Sequence, residues 1–539
     1  MPLNINDTFV SELKALNLKL SIGPEKTLGV PIGKSTDNYD FFWDGLIDKV
    51  EKKLNIWRSR TLSYEGKTLL IRSIAISQVL YAVEMKTISS AHIKRINDII
   101  FDFLWSGKQL KIKRDICFLP RDLGGLNMIN LEIIIKVKRI NWIIRFLREN
   151  KGQPWSKLIE SYVRCLDNSF NIEFFSLKVT DSTDLIESAK IPVFYKECLK
   201  SFQELLRISR VEHDNDILWC NHRVLFLNKP IHFSSWARSD IRTISDVYTR
   251  QRLNPFEIRR KLTNNFAAFI FQMAKLRKAL PGRIESELSD NELVQGGKEQ
   301  ILQTQINVPG LGVKAVGELK SKEIYRIFLM NNVPEIPSKR YWKQKLNINE
   351  IDWDTWFKIN ATNKFMPRPE KDFNWRLMNN LVNFNSKLRY MKHPDGTPYS
   401  DGKCDVCRNG DISNGEHLIF KCQNSYLIWK KIEVLLSYVE KRRVTIEMQH
   451  ALTGFWQEGF DDETLLNNMV ISITRYHLWK VRNSIKYDKK SIDFIGSCRI
   501  LKSSLINHVD TLISVYSHNI IVKQYLLRLK IGIIENDLL

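Results

Sequence analysis

Three of the eight cysteines in this 539-residue chain gather within nineteen residues around a histidine. Cys404 and Cys407 are two residues apart, nine residues lead on to His417, and four more to Cys422: C-x2-C-x9-H-x4-C. Two thiolates at that short spacing grip one ion from a tight knuckle, and a His and a Cys five positions apart approach the same point from a turn or a helix start. Three sulfurs and one imidazole nitrogen make a closed tetrahedral Zn2+ site, and because no coordination position stays open the metal is expected to be structural. Gly410 and Gly415 let the intervening loop wrap an ion, and Leu418, Ile419 and Phe420 supply a small core beside it. Cys117, Cys165, Cys198, Cys220 and Cys498 lie scattered among apolar neighbours and read as buried thiols, so the cysteines describe a metal site in a reducing compartment and not a disulfide framework.

No residue pattern nominates a catalytic group. Gly66-Lys67 lacks the glycine spacing of a phosphate loop. Asp461-Asp462 follows Gly459-Phe460 in a polar turn and reads as a helix start. Charge gives the stronger signal. The chain carries a net +22 with a pI near 9.5, which points to a polyanion, nucleic acid first and an anionic membrane surface second. Residues 51–150 hold 19 Lys and Arg against 9 Asp and Glu, a local +10. No apolar stretch approaches the 18 residues of a membrane span, and the polar N-terminus has no signal core. An intracellular protein, nuclear or cytoplasmic, without a membrane partner, is expected.

The elements that must position these groups are mainly α-helical. Trp43, Leu46, Val50, Leu54 and Trp57 recur at spacings of 3 or 4, as do Leu70, Ile74 and Ser77, then Ile93, Ile96, Ile100 and Phe103, then Ile133, Val137, Ile140, Ile144 and Leu147. Lys138, Asn141, Arg145 and Arg148 form the opposite face of the last of these helices. Gly124-Gly125 breaks the pattern as a turn, and Trp57 and Trp105 read as core. The aromatic run from Tyr341 through Trp342, Trp353, Trp356, Phe357 and Phe373 to Trp375 is expected to be core in preference to a base-stacking platform.

Two ordered sets of residues resemble the non-LTR (LINE-type) retrotransposon reverse transcriptases. The first comprises Leu28-Gly29-Val30 with Pro31-Ile32-Gly33, then Trp57, Arg60, Leu62-Ser63, Gly66-Lys67, Leu70-Ile71, Ser73, Phe103-Leu104-Trp105 and Gly124-Gly125-Leu126. These are similar to the family's thumb and the region after it. The second, Asp372-Phe373-Asn374-Trp375-Arg376 with the four metal ligands, Ile428-Trp429 and Leu478-Trp479-Lys480-Val481-Arg482-Asn483, looks like its zinc-binding region.

The resemblance implies a palm-edge remnant over 1–38, a basic thumb-like helical domain over 39–150, a helical connector over 151–320, a zinc-binding domain over 321–440 and a C-terminal helical region over 441–539. It implies an RNA or RNA–DNA duplex partner, with Arg58, Arg60, Lys67, Arg72, Lys138, Arg145 and Arg148 as phosphate contacts that give affinity and salt dependence. The family's polymerase needs palm carboxylates that hold two metal ions, including paired aspartates after an aromatic-Ala pair. No such tetrapeptide occurs here, and the Leu-Gly-Val element at residue 28 leaves no room upstream for a palm or an endonuclease. The expectation is therefore a nucleic-acid-binding fragment with no catalytic residue of its own. Two alternatives stand beside it: part of an RNA-directed DNA polymerase whose palm comes from a longer or partner chain, and a host protein repurposed as a scaffold.

Overall fold

The 3- and 4-residue recurrence of apolar side chains is realised as helix almost throughout. The computed structural model describes residues 25–27, 30–32, 39–107, 112–149, 152–164, 186–187, 189–209, 218–219, 224–280 with short breaks, 298–346, 350–407, 409–455 and 461–534. The principal helices are α1 (Tyr39–Asn55), α2 (Tyr64–Leu70), α3 (Ser77–Val83), α4 (Ser90–Trp105), α5 (Leu131–Arg148), α6 (Pro154–Arg164), α7 (Val193–Ser209) and α8 (Phe266–Ala279). They continue with α9 (Ser321–Met330), α10 (Glu350–Thr362), α11 (Arg368–Met378), α12 (Gln423–Glu440), α13 (Asp462–Lys486), α14 (Phe494–Val515) and α15 (Ile520–Ile534). Strands are confined, among the described residues, to two-stranded antiparallel ribbons. The mainly α class is as the sequence predicts. Pro309 to Leu311 form the tip of one such ribbon, Gln305–Val308 against Gly312–Ala315. No helix among the described residues is long and apolar enough to cross a membrane.

The chain divides into two units, one of residues 1–57, 71–102 and 129–333, the other of 58–70, 103–128 and 334–539. In the first, α5 is buried against α7 and α9 through Val137, Ile140, Ile144, Phe202 and Phe328, and the Gln305–Ala315 ribbon packs on α7 and α9. A separate apolar cluster forms around Trp219, Trp236, Phe269 and Met273. Trp43, Val50 and Leu54 of α1 are buried as the spacing predicts, with Ile47 in the place expected of Leu46. Two expectations fail for local reasons. α1 ends at Asn55, so Trp57 lies beyond the helical stripe and is 37% exposed, not core. Ile71–Ile76 is a π-helical turn, whose extra residue shifts the register. The buried stripe there is Ile71, Ala75 and Val79, while Ser77 faces solvent.

In the second unit the aromatic run is core. Trp342, Trp353, Trp356, Phe357, Phe373 and Trp375 are buried among Leu418, Ile419, Trp429 and the apolar faces of α12 to α15; Tyr341 is exposed. Trp105 is buried too. Gly124-Gly125 is a turn with a steric reason: Gly124 has φ +87°, and a Cβ on Gly125 would lie 1.9 Å from the Leu119 carbonyl oxygen. Asp461 caps α13, its carboxylate accepting from the Thr464 amide at 2.8 Å, so the adjacent aspartates start a helix.

Candidate metal centre

Residues 403–407 and 409–412 form the two arms of a short hairpin. Lys403 bridges Ile412, the Cys404 amide donates to the Asp411 carbonyl at 2.9 Å, and the Ser413 amide donates to the Gly402 carbonyl at 2.9 Å. Gly402 and Gly410 hold the positive φ angles, +89° and +81°, that such tight reversals need. The hairpin presents Cys404 and Cys407. His417 opens a π-helical turn, His417–Lys421, and is anchored by its own amide on Asn414 Oδ1 at 2.8 Å. Cys422 follows as the residue preceding α12, with its amide on the His417 carbonyl at 2.7 Å.

These pieces bring four donor atoms together, all within 4.8 Å of one another. Cys407 Sγ lies 3.4 Å from His417 Nε2, close to the edge of about 3.6 Å that a tetrahedral thiolate–imidazole site requires. Cys404, His417 and Cys422 are buried and Cys407 is half-buried. The set can hold one metal ion, with every ligand supplied by protein. The Asp411 carboxylate lies 3.9 Å from His417 Nδ1, on the side away from the sulfur, where an outer carboxylate orients a ligating imidazole. Contact with Cys422 raises the Cys404 thiol to about 12 and lowers Cys422, so of this pair Cys422 ionises first. The position of Cys422 at the N-terminus of an 18-residue helix favours its negative charge.

The knuckle is tied to the rest of its unit by a polar cluster. Asn385 Nδ2 donates to the Lys403 carbonyl at 2.5 Å and to Asp405 Oδ2 at 2.7 Å. Arg482 of α13, with no exposed side-chain surface, donates to Asn385 Oδ1 and sets Nε 3.6 Å from Asp405. Trp479, one turn earlier, stacks on Phe373 and meets Phe384 edge-on. The motif around Phe373 is equally engaged. Tyr64 donates its amide to Asp372 at 2.9 Å, Asn374 bridges Ser472 and Arg475, and Trp375 Nε1 donates to the Gly124 carbonyl at 2.8 Å.

The residues expected to meet phosphate are placed variously. Arg58, Arg60 and Arg72 are exposed. Lys67 is corrected: it is 9% exposed, and its ammonium donates to the Leu104 carbonyl at 2.9 Å and to Ser106, so the fold consumes it. On α5, Lys138 is half-buried and paired with Glu84. Arg145 is exposed with its guanidinium over Trp142 and Trp155, and Arg148 is exposed while donating to the Gly317 carbonyl. Any phosphate would have to compete with these partners. Sequence reasoning missed Arg139, fully buried on α5, which donates to Glu197 at 2.7 Å and to the Val83 and Lys86 carbonyls. Its place one and two turns before Ile143 and Phe146 on the apolar face was the available signal. It also missed Arg121, Arg368 and Lys371, which share a cleft. Of the other cysteines, Cys117, Cys198 and Cys498 are buried as expected, and Cys165 and Cys220 lie outside the described residues.

No family model matches the chain. It is 23% identical over 206 residues to a transposon TX1 uncharacterized 149 kDa protein of Xenopus laevis, covering 37% of this chain and 15% of that protein. It is 22% identical over 138 residues to a putative ribonuclease H protein of Arabidopsis thaliana, covering 24% of this chain and 22% of that protein. The chain thus has distant, partial similarity to a transposon-encoded protein and to a plant protein named for ribonuclease H, and spans under a quarter of the length of either.

Proposed function

We propose that this chain is a nucleic-acid-binding part of a non-LTR retrotransposon reverse transcriptase, with a thumb-like region within 39–150 and a zinc-binding region within 321–440. The observation that carries the reading is the convergence of its motifs. Gly124, Asp372 to Trp375, the four metal ligands and Trp479 with Arg482 are far apart in sequence, yet they lie in one unit and are linked by hydrogen bonds and ring contacts. The distant similarity to a transposon-encoded protein supports it further, as does the net charge of +22.

The metal in this reading is Zn2+. A closed set of three thiolates and one imidazole suits that ion and makes its role structural. It would fix the hairpin against the start of α12. The polyanion is RNA or an RNA–DNA duplex. The exposed Arg58, Arg60 and Arg72 are its phosphate contacts, with Lys138, Arg145 and Arg148 contributing where they exchange their present partners for phosphate.

The test is a titration of a structured RNA and an RNA–DNA duplex at several salt concentrations, with zinc content measured by mass spectrometry. One zinc per chain, and affinity that falls steeply with salt, is the expected result. Alanine at Arg58, Arg60 and Arg72 together should reduce the salt slope by about one unit for each phosphate no longer neutralised. No binding at low salt overturns the reading, and a slope unchanged in the triple variant overturns the assignment of these three arginines.

A further inference from the structure

The most suggestive feature outside the metal centre is a small cleft of about 50 Å3 in the second unit, where Arg121, Arg368 and Lys371 meet Glu65 and Asp372. Its apolar floor is Leu126, Phe357 and Trp375, all buried. Three cations and two carboxylates surround it, and the carboxylates are already committed. Glu65 is bound to Arg121 at 2.9 Å. Asp372 accepts from the Tyr64 amide at 2.9 Å and faces Arg376 at 3.8 Å. The side chains of Arg368 and Lys371 have neither hydrogen bond nor ion pair among the described residues. Two positive charges, one turn apart on α11, therefore share the field of Glu65, which is already bound to Arg121, and have no carboxylate of their own among the described residues.

We propose that this cleft is a phosphate-binding site, in which Arg368 and Lys371 receive one phosphate group while Arg121, held by Glu65, provides the third cation. The distribution of charge explains the choice of ligand. A group with two negative charges neutralises the uncompensated pair, whereas a monocarboxylate leaves one cation unmatched. A planar guanidinium and an ammonium together suit a tetrahedral oxyanion. The state of Lys371 fits this: burial holds its ammonium below the ordinary lysine range, Glu65 opposing and Arg121 and Arg368 adding to the effect. An arriving dianion would relieve that penalty. The phosphate comes from one of two sources, a terminal phosphomonoester of a bound strand, which has two charges where a backbone diester has one, or a free inorganic phosphate species. The first source rests on the nucleic-acid reading above, and the second does not.

The experiment compares the full chain with R368A/K371A and with the charge-preserving R368K/K371R. Each is titrated calorimetrically with inorganic pyrophosphate and, separately, with a 5′-phosphorylated RNA hairpin over a range of salt. Unchanged thermal stability and zinc content verify that each variant is folded. The expected result is one pyrophosphate site in the wild type, at least tenfold weaker in the alanine variant and largely restored in the charge-preserving one. The RNA salt slope should shrink by about 1 in the alanine variant. Pyrophosphate binding that depends on the pair, in a chain that binds no RNA, keeps the phosphate site and overturns the nucleic-acid reading. RNA binding with the same slope in all three chains, and no pyrophosphate heat dependent on the pair, overturns the site and leaves that reading standing.

Discussion

Single residues in this protein are decided by what they leave unpaired. His477 on α13 is 1% exposed, contacts Ser497 Oγ at 2.9 Å through Nε2, and has no partner for Nδ1 among the described residues. Burial, reinforced by Lys480, lowers it from 6.5 to about 4. The folded chain therefore keeps this imidazole neutral where the unfolded chain would protonate it. Its contribution is complete above pH 6.5 and is lost as pH falls from 6.5 towards 4, an effect on the order of 3 kcal/mol. Urea melts between pH 7 and pH 4.5 should show stability falling with pH, and H477Q should flatten that dependence. An equal slope in both chains would mean that other groups, such as the metal ligands, carry the acid sensitivity.

At the level of elements, the metal hairpin depends on a helix some seventy residues downstream. Arg482 of α13 donates to Asn385, which in turn holds Lys403 and Asp405 of the hairpin, and sets its guanidinium charge 3.6 Å from the Asp405 carboxylate. Removing it leaves the Oδ1 of buried Asn385 without that donor, at a cost of about 1–3 kcal/mol. R482A should lower the urea midpoint by a corresponding amount and weaken metal retention against a competing chelator. R482K should recover little, since an ammonium cannot reproduce the two-directional reach of the guanidinium. Metal retention equal to wild type in R482A would show that the hairpin is held by its own hydrogen bonds and Asn385 alone.

For the whole molecule, the two units have separate apolar cores, and the metal ligands all belong to one of them. Binding energy at a closed site is folding energy for the segment that supplies the ligands. Chelation should therefore act locally. Hydrogen exchange after metal removal should show reduced protection over residues 402–422 and the first turn of α12, while amides in α5 and α7 keep theirs. An equal drop in protection in both units would show that folding of the two is coupled through the metal.

Features whose physics is local were legible in the residues alone. Ligand spacing picks out Cys404, Cys407, His417 and Cys422, and their donor atoms do converge. Apolar periodicity gives the mainly helical class, and turn chemistry gives Gly124-Gly125 and the Asp461 cap. Packing settled whatever depends on neighbours remote in sequence. Periodicity cannot see a π-turn, so the stripe after Leu70 slipped by a residue. Charge counting cannot distinguish an ammonium in water from one bound to a carbonyl, which is why Lys67 looked like a surface cation and is buried. Nor can it show that Arg368 and Lys371 face a cleft whose carboxylates are already spoken for, because Glu65 and Arg121 reach that cleft from more than two hundred residues away. Spacing encodes contacts along one element, whereas pairing and burial are set by which elements the folded chain brings together.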